Sequence, residues 1–419
     1  MSRRRSPATL PGNILIGRTA EARIERIVSG GFGLAHALGR TIFVAGVAPG
    51  ELATVRIDRT PGKIAFGSVV ELLEPSPARI EPPFPELTRL GADFQHLTYE
   101  AQAEAKLDII TDCLRRIGNI ETELEIPIEP SAREWGYRAR AEWHHDPATA
   151  AFGYVEAGSH RVVDLPADPF VVPALAATFA ALRKHLAFAP EDAEPSAVRA
   201  AAGDDDRVAL DPALLPGTEG LVQTVVAGEH YAYDASCFFQ TNPTVLAPMV
   251  AEALRHAADD DRTAPSRRLA IDLYSGVGLF TLPLARRFER VIAVESHGRT
   301  AELAAHNIAR AGLGNVRLEP AAVEAWIGTA YKSHGRAPLL LVDPPRTGLP
   351  PVVVRGIVRL RPGRITYVSC DPATLARDLK ALIAADYRLD GMAAFDMFPQ
   401  THHVEVVAHL RRATDPEPD

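Results

Sequence analysis

The stretch Arg364-Ile-Thr-Tyr-Val-Ser-Cys370-Asp371-Pro372-Ala-Thr-Leu375 reads as a buried strand handed directly to a helix. Ile365 to Val368 is β-branched and aromatic, the pattern of a parallel strand covered on both faces. Asp371 and Pro372 have the chemistry of a helix cap and a first helical position. Cys370 is thereby placed at the carboxyl edge of a sheet and the amino end of a helix, where open α/β sheets bind their ligands. Unpaired helix N–H groups there favour a thiolate, and the neighbouring Asp371 opposes it, so no strongly lowered pKa is expected. A lone cysteine is more often a small buried hydrophobe than a nucleophile. This stretch alone leaves both readings open.

The preceding sequence supplies the rest of that sheet. Leu269-Ala-Ile-Asp-Leu273, Val291-Ile-Ala-Val-Glu295, Val316-Arg-Leu318 and Leu339-Leu-Leu-Val-Asp343 read as strands separated by helical stretches. Tyr387–Asp396 and Val404–Leu410 suggest a closing hairpin that forms an antiparallel edge. The fold class is therefore α/β, a doubly wound parallel sheet.

Upstream the rhythm is different. Between Ile14 and Leu73, five short alternating segments broken by glycine predict a small closed barrel of the oligonucleotide-binding kind. Pro75 to Pro85 holds five prolines and reads as a linker. Tyr99 to Gly118 carries Leu107, Ile110, Cys113, Leu114 and Ile117 on one helical face, ended by Gly118. Residues 119 to 235 read as mainly antiparallel strands with a helix near Leu175–His185, and Glu191 to Arg207 as an acidic, Ala-rich loop. The expected domains are a barrel over 12–75, a central domain over 80–250 and a catalytic domain over 251–415, with the helix of 97–118 packing on the catalytic domain. Residues 1–11 are expected to be loose.

A chain of 419 residues is too long for one core. Its 47% hydrophobic and 23% charged content is that of an ordinary soluble protein. Neither a membrane span nor the apolar stretch of a signal peptide is apparent after Met1-Ser-Arg-Arg-Arg5, so a cytoplasmic location is expected. Three cysteines without a CxxC pair (Cys113, Cys237, Cys370) argue against a disulfide framework or a four-thiolate metal site. Residues 1–75 hold 10 Lys+Arg against 6 Asp+Glu, a net +4, leaving −12 for the remainder of a chain whose total is −8. A basic leading segment fits an RNA-gripping module, and a solvated tail almost as well. The adjacent pairs His144-His145 and His402-His403 have no third ligand at suitable spacing, so no metal is expected.

Asp272-Leu-Tyr-Ser-Gly276-Val-Gly278-Leu-Phe280 follows the first strand of the sheet and opens a helix, and its glycines let a ligand approach the backbone. A dinucleotide site wants a third glycine where Thr281 stands. A nicotinamide fold is weakened by that difference but not excluded. Asp343-Pro-Pro-Arg346-Thr-Gly348 closes the fourth strand, and two prolines that cannot donate to a ladder force the chain outward as a rigid lip.

Taken together, Phe238-Phe239-Gln240-x-Asn242, the Asp272 loop, Val342-Asp-Pro-Pro-Arg-Thr-Gly348, Tyr367-Val-Ser-Cys-Asp-Pro-Ala-Thr-x-Ala-Arg-Asp378 and Thr401-x-His-Val-Glu405 resemble the bacterial RNA uridine-5-methyltransferases. Gly31-Phe-Gly-Leu-Ala35 and Val47-Ala-Pro-Gly-Glu51 resemble a TRAM domain, an RNA-binding barrel. The resemblance implies a Rossmann-like class I methyltransferase domain behind an OB-like barrel and a mainly antiparallel central domain. It implies S-adenosylmethionine held by Asp272, Tyr274, Gly276, Gly278 and Glu295, with Gln240 and Asp343 bordering both cofactor and uracil edge and Arg346 contacting the ring or a phosphate. Cys370 would be the nucleophile that adds to uracil C6, and Glu405 the base that removes the C5 proton. Phe32, Arg40 and Lys63 would be stacking and phosphate contacts on the barrel.

Many ribosomal-RNA members of that family hold an iron–sulfur cluster on cysteines ahead of Gln-His-Leu and before a later proline. Here those places read Leu90-Gly-Ala-Asp93 before Gln95-His96-Leu97, and Asp168-Pro169, so no cluster is expected. The implied substrate is ribosomal RNA, preferably of the large subunit, with transfer RNA as the alternative, and the protein is expected to act as a monomer. Methylation of another base or of a protein amide, and a non-catalytic RNA-binding assembly factor, are the competing readings.

Overall fold

The computed structural model describes residues 15–156, 158–187, 197–257, 268–334 and 337–413. The expectation of a loose segment over 1–11 lies outside the described residues. Two compact units emerge, one formed by residues 1–117 with Phe398–His403, the other by Gly118–Met397 with residues from Val404 onward.

In the first unit, β1 (Thr19–Val28), β2 (Phe32–Ala37), β3 (Arg40–Val44), β4 (Leu52–Arg59) and β5 (Ile64–Glu74) close into a barrel in the order β1-β2-β3-β5-β4. Alternation does the sorting: Ala22 and Ile24, Ile42 and Val44, and Ala53, Val55 and Ile57 point inward and are buried together. Helix α1 (Tyr99–Cys113), capped by Thr98, packs along β1, where Arg26 bonds Asp112 at 3.0–3.1 Å. The first unit thus runs through Ile117, past the boundary near 75–80 that the prolines suggested. The Pro-rich stretch is tied down as well as stiff: buried Glu51 accepts Arg79 at 2.6 and 2.8 Å, and Gln95 bonds both backbone groups of Phe84.

The second unit begins with the two-residue β6 (Ile128–Glu129). It continues with β7 (Arg140–Asp146), β8 (Ala151–Val155), β9 (Val162–Asp164), helix α2 (Pro173–Leu186), β10 (Ala197–Ala202) and β11 (Val208–Asp211). Strands β11-β10-β7-β8-β9 make an antiparallel sheet around Trp143, Phe152 and Phe179, whose rings lie 4.8–6.1 Å apart. Buried Asp168 accepts from Trp143 Nε1, Tyr154 Oη and the Phe170 amide at 2.6–3.0 Å, so polar hydrogen bonds converge where a cluster ligand would stand in the resembled family.

The alanine-rich segment read as loop contains strand β10. Its Ala200 and Ala201 are fully buried between β7 and β11, and pairing on both sides outweighs alanine's poor strand propensity.

Strands β12 (Val222–Val226) and β13 (Glu229–Tyr233) form a hairpin, followed by α3 (Leu246–Ala253). The large sheet is then built by β14 (Ala270–Leu273), α4 (Thr281–Ala285), β15 (Val291–Glu295), α5 (Gly298–Arg310), β16 (Val316–Pro320), α6 (Val323–His334) and β17 (Leu339–Val342). It is completed by α7 (Pro351–Leu360), β18 (Arg364–Ser369), α8 (Pro372–Ile383), β19 (Tyr387–Phe395) and β20 (Glu405–Arg412).

The order is β16-β15-β14-β17-β18-β20-β19-β6, parallel from β16 through β18. The chain reverses its winding direction between β14 and β17, which opens a crevice at their carboxyl ends. One expectation needs correcting: β20 is not the edge. It is inserted between β18 and β19, with β6 outside them, and that enclosure buries Glu405 to 2% exposure. Among the described residues, no helix is long and apolar enough to cross a membrane.

Candidate active site

Most of the candidate side chains sit where a strand of the large sheet ends or, for Glu405, begins. Strand β14 carries Asp272 and leads into the glycine loop, in which Tyr274 (φ 61°), Gly276 (56°) and Gly278 (101°) are left-handed. A side chain at Gly278 would run into Leu282 at 2.9 Å. The loop is held from below: Asn307 on α5 donates to Val277 O at 3.0 Å while exchanging two bonds with Ala232, and Tyr231 Oη donates to Leu279 O at 2.9 Å. Glu295, ending β15, accepts the Gly276 amide at 3.0 Å and the His297 amide at 2.7 Å.

The residue that spoiled the dinucleotide pattern has its own task. Thr281 Oγ1 donates to Asp272 Oδ2 at 2.5 Å. The other oxygen, Asp272 Oδ1, is buried without a hydrogen-bond partner among the described residues, as is Ser275 Oγ. Asp343, just past β17, lies alongside, its amide bonded to Leu273 O. Desolvation first, with Glu295's charge adding to it, pushes the Asp272 carboxyl up to about 7, against the opposing Thr281 bond. Burial and the Asp272 charge likewise push Asp343 up to about 7. A crevice holding unneutralised carboxyls is complementary to a cationic ligand with its own donors.

That complementarity has a stability consequence. The Asp272 carboxyl has a higher pKa folded than unfolded, where it is about 3.9, so its contribution is fully present below pH 4 and is lost as pH rises towards 7. That difference corresponds to a penalty on the order of 4 kcal/mol at pH 7. Asp272→Asn is therefore expected to raise the urea midpoint of the unliganded protein at pH 7.5, with the gain vanishing near pH 4. Equal gains at both pH values would contradict this account.

Cys370 follows β18, and Asp371 caps α8 by accepting the Thr374 amide at 2.7 Å. Strands β18 and β20 run antiparallel with Ser369 opposite Val406, so the next positions outward are Cys370 and Glu405. Burial, then the charges of Glu405 and Asp343, push the Cys370 thiol up to about 12, and Arg346, a hydrogen-bonding cation beside it, opposes them. Burial and the Asp343 charge hold Glu405 well above the carboxylate range.

The Pro-Pro lip that carries Arg346 is strapped to α8. Asp378 accepts the Leu349 amide at 2.7 Å and the Tyr367 hydroxyl at 2.8 Å, Arg377 donates to Thr347 O at 3.0 Å, and Thr374 Oγ1 donates to Arg346 O at 3.2 Å. These supports went unassigned in the sequence although they lie inside a quoted motif, because nothing local shows that β17 and α8 adjoin.

Gln240 is buried, at 6% exposure. Two positions on, Asn242 donates to the carbonyl of Asp396, next to Phe395, the cross-strand partner of Glu405. Cys370, Glu405, Asp343, Arg346, Asp272, Tyr274, Glu295 and both loop glycines thus gather at one end of one sheet.

Phe32, Arg40 and Lys63 belong to the other unit. There Phe32 packs with Phe43 and Phe66 at centroid distances of 5.4–6.3 Å, and Arg59 lies 3.6 Å over the Phe66 ring. Arg40 donates to Gly62 O at 2.6 Å, and Lys63 is exposed. Phe43, Phe66 and Arg59 extend the aromatic and basic surface beyond the residues singled out in sequence, and the alternation of β3 and β5 was the signal that could have placed the two rings.

A doubly wound sheet with an acid at the end of its first strand, a glycine loop and a crevice at its switch point defines the class I methyltransferase fold. Comparison with known proteins narrows the class. Residues 221–413 match the family described as tRNA (Uracil-5-)-methyltransferase, and residues 15–70 the TRAM domain. An uncharacterized RNA methyltransferase of Gloeobacter violaceus is 32% identical over 463 residues, covering 96% of this chain and 98% of its own. The 23S rRNA (uracil(1939)-C(5))-methyltransferase RlmD of Pectobacterium atrosepticum is 32% identical over 426 residues, 90% of each chain. The crystal structure of the tRNA (uracil-54, C5)-methyltransferase of Pyrococcus abyssi, in complex with S-adenosyl-L-homocysteine, superposes with a TM-score of 0.69 at 24% identity, over 93% of this chain and all of that one, a likeness of fold. The chain belongs to the RNA uracil-5-methyltransferase family.

Proposed function

We propose that the protein methylates C5 of a uridine in 23S ribosomal RNA, in the cytoplasm and as a monomer, through a covalent bond between Cys370 and C6 of the uracil. The observation that carries this reading is the register of β18 and β20, which sets a thiol and a buried carboxyl on adjoining strands beside the acidic crevice.

The crevice fits S-adenosylmethionine. Among the described residues Asp272 Oδ1 and Ser275 Oγ lack partners, which a cationic, hydroxyl-bearing cofactor would provide; the left-handed glycine loop leaves room for it, and Glu295 ends the strand beside it. When bound, the cofactor supplies an electrophilic methyl group. The chain's own residues do the rest. Cys370, as thiolate, forms a bond to C6, and the electron pair displaced from the ring makes C5 nucleophilic. Asp343 and Gln240 hold the uracil edge, and Arg346 balances the negative charge passing from sulfur to ring. Once C5 carries the methyl group, Glu405 accepts the C5 proton, the C5–C6 double bond returns and the sulfur leaves with its bonding pair. A carboxylate of raised proton affinity suits removal of a carbon-bound proton.

The base must leave its stack to reach this crevice. The basic barrel, with Phe32, Phe43 and Phe66, is the part that holds the flanking RNA. Mapping 5-methyluridine in ribosomal and transfer RNA from cells with and without the gene tests the assignment: loss of one or more 23S positions supports it, loss confined to transfer RNA moves the substrate, and no loss removes the activity.

A further inference from the structure

Strands β19 and β20 are antiparallel neighbours, a pair that two to five residues would join, yet nine residues from Asp396 to Val404 separate them. The middle of that excursion, Phe398–His403, belongs to the barrel-bearing unit, while Met397 and Val404 on either side belong to the catalytic one. It is held with unusual completeness. Lys106 on α1, fully buried, donates its ammonium to Phe398 O at 3.0 Å. Gln102, one turn earlier, accepts the Gln400 amide at 2.9 Å and donates to the Gln400 side chain at 3.0 Å, and the Phe94 amide donates to Gln400 O at 2.9 Å. Asp93 accepts the His402 amide at 3.0 Å and lies 2.6 Å from His402 Nδ1.

Gln400 itself is left-handed, at φ 69°. Gly31 in the β1–β2 turn leaves the space for the Asp93–His402 pair, since a Cβ there would meet Asp93 Oδ2 at 2.5 Å and His402 Cβ at 3.0 Å. Burying an ammonium and an amide pair is costly unless every group is satisfied, and a strained non-glycine residue persists only where its surroundings over-determine it. A connector that merely joined two strands would need none of this. The chain leaving His402 reaches Glu405 three residues later.

We infer that Asp93, Gln102 and Lys106 are positioning residues for Glu405: they fix the segment ahead of it so that its carboxyl meets the C5 proton after methyl transfer. They touch neither RNA nor cofactor in this assignment, and formation of the Cys370–C6 bond does not depend on them. The inference rests on the uridine chemistry proposed above.

The test separates the two halves of that chemistry. Unmodified ribosomal RNA from cells lacking the gene is mixed with full-length protein and S-adenosylmethionine in a single turnover, and the covalent protein–RNA species is followed on denaturing gels. In Asp93→Ala and Gln102→Ala the species is expected to form within about twofold of the wild-type rate and to decay at least about tenfold more slowly, the scale of a sub-ångström misplacement of a catalytic group. Asp93→Asn, which keeps an acceptor for the His402 amide, is expected to restore decay, and Gln102→Ala carries the comparison if Asp93→Ala does not fold. Unchanged decay, or equal slowing of formation and decay, overturns the positioning role. Absence of any covalent species even with Glu405→Gln overturns the proposed reaction instead, and the inference falls with it.

Discussion

Cys370→Ser is expected to abolish methylation, with loss of turnover by at least about four orders of magnitude and no covalent RNA species at any time, because the proposed route to a nucleophilic C5 runs through its sulfur. A hydroxyl has nearly the volume of the thiol, so the half-buried site and the α8 cap at Asp371 are left intact and melting should be unchanged. Radiolabel transfer from the methyl donor to ribosomal RNA measures the loss. The same residue dictates the pH dependence. Burial and the nearby Glu405 and Asp343 charges push the thiol up to about 12, so the reactive thiolate is a small fraction at neutral pH. Adduct formation at saturating cofactor should therefore climb about tenfold per pH unit from 7 to 9, since each unit raises the thiolate fraction tenfold below the pKa. A flat profile would mean that a step other than thiolate attack limits the rate, and residual methylation by the serine variant would remove the cysteine from the chemistry.

Glu405→Gln is expected to behave in the opposite sense: turnover falls by about 10²–10⁴, the contribution of a positioned general base, while the covalent species accumulates. The amide keeps the size and much of the polarity of the buried side chain, so the first bond still forms. What it lacks is a site for the C5 proton, and without that acceptor the sulfur cannot leave. The two variants together are more informative than either, because a residue needed only for folding would lose both stages. If Glu405→Gln turns over normally, the proton goes elsewhere, and Asp343, the carboxyl whose charge acts directly on Glu405, becomes the group to replace.

The acidic crevice, the Cys370 thiol and the Glu405 carboxyl are one electrostatic system rather than three sites. Glu295 acts on Asp272, Asp272 on Asp343, Asp343 on Glu405, and Glu405 on Cys370, with Arg346 as the cation opposing them at the far end. Such a run of like charges is unfavourable in the unliganded protein. It becomes favourable when a cationic ligand enters, which is why the stability of the free protein and its capacity for a cationic cofactor are expected to trade against each other in Asp272→Asn.

Signals carried by neighbours in sequence were legible before any folding. The strand, cap and first helical turn around Cys370 follow from β-branching, an aspartate and a proline within eight residues, and the barrel strands from alternation punctuated by glycine. The glycine loop and the Pro-Pro lip were legible for the same reason, since each is a statement about local backbone freedom. Tertiary structure alone decided the remainder. Pairing on both sides made a strand of Ala197–Ala202, which propensity disfavours. Insertion between β18 and β19 buried Glu405, which strand order alone could reveal. Thr281 looked like a missing glycine until its hydroxyl was found on Asp272, and His402 looked like half of a histidine pair until its partner proved to be Asp93, 309 positions away. Local conformation depends on residues a few positions apart, whereas register, burial and charge coupling depend on which distant segments the folded chain brings into contact.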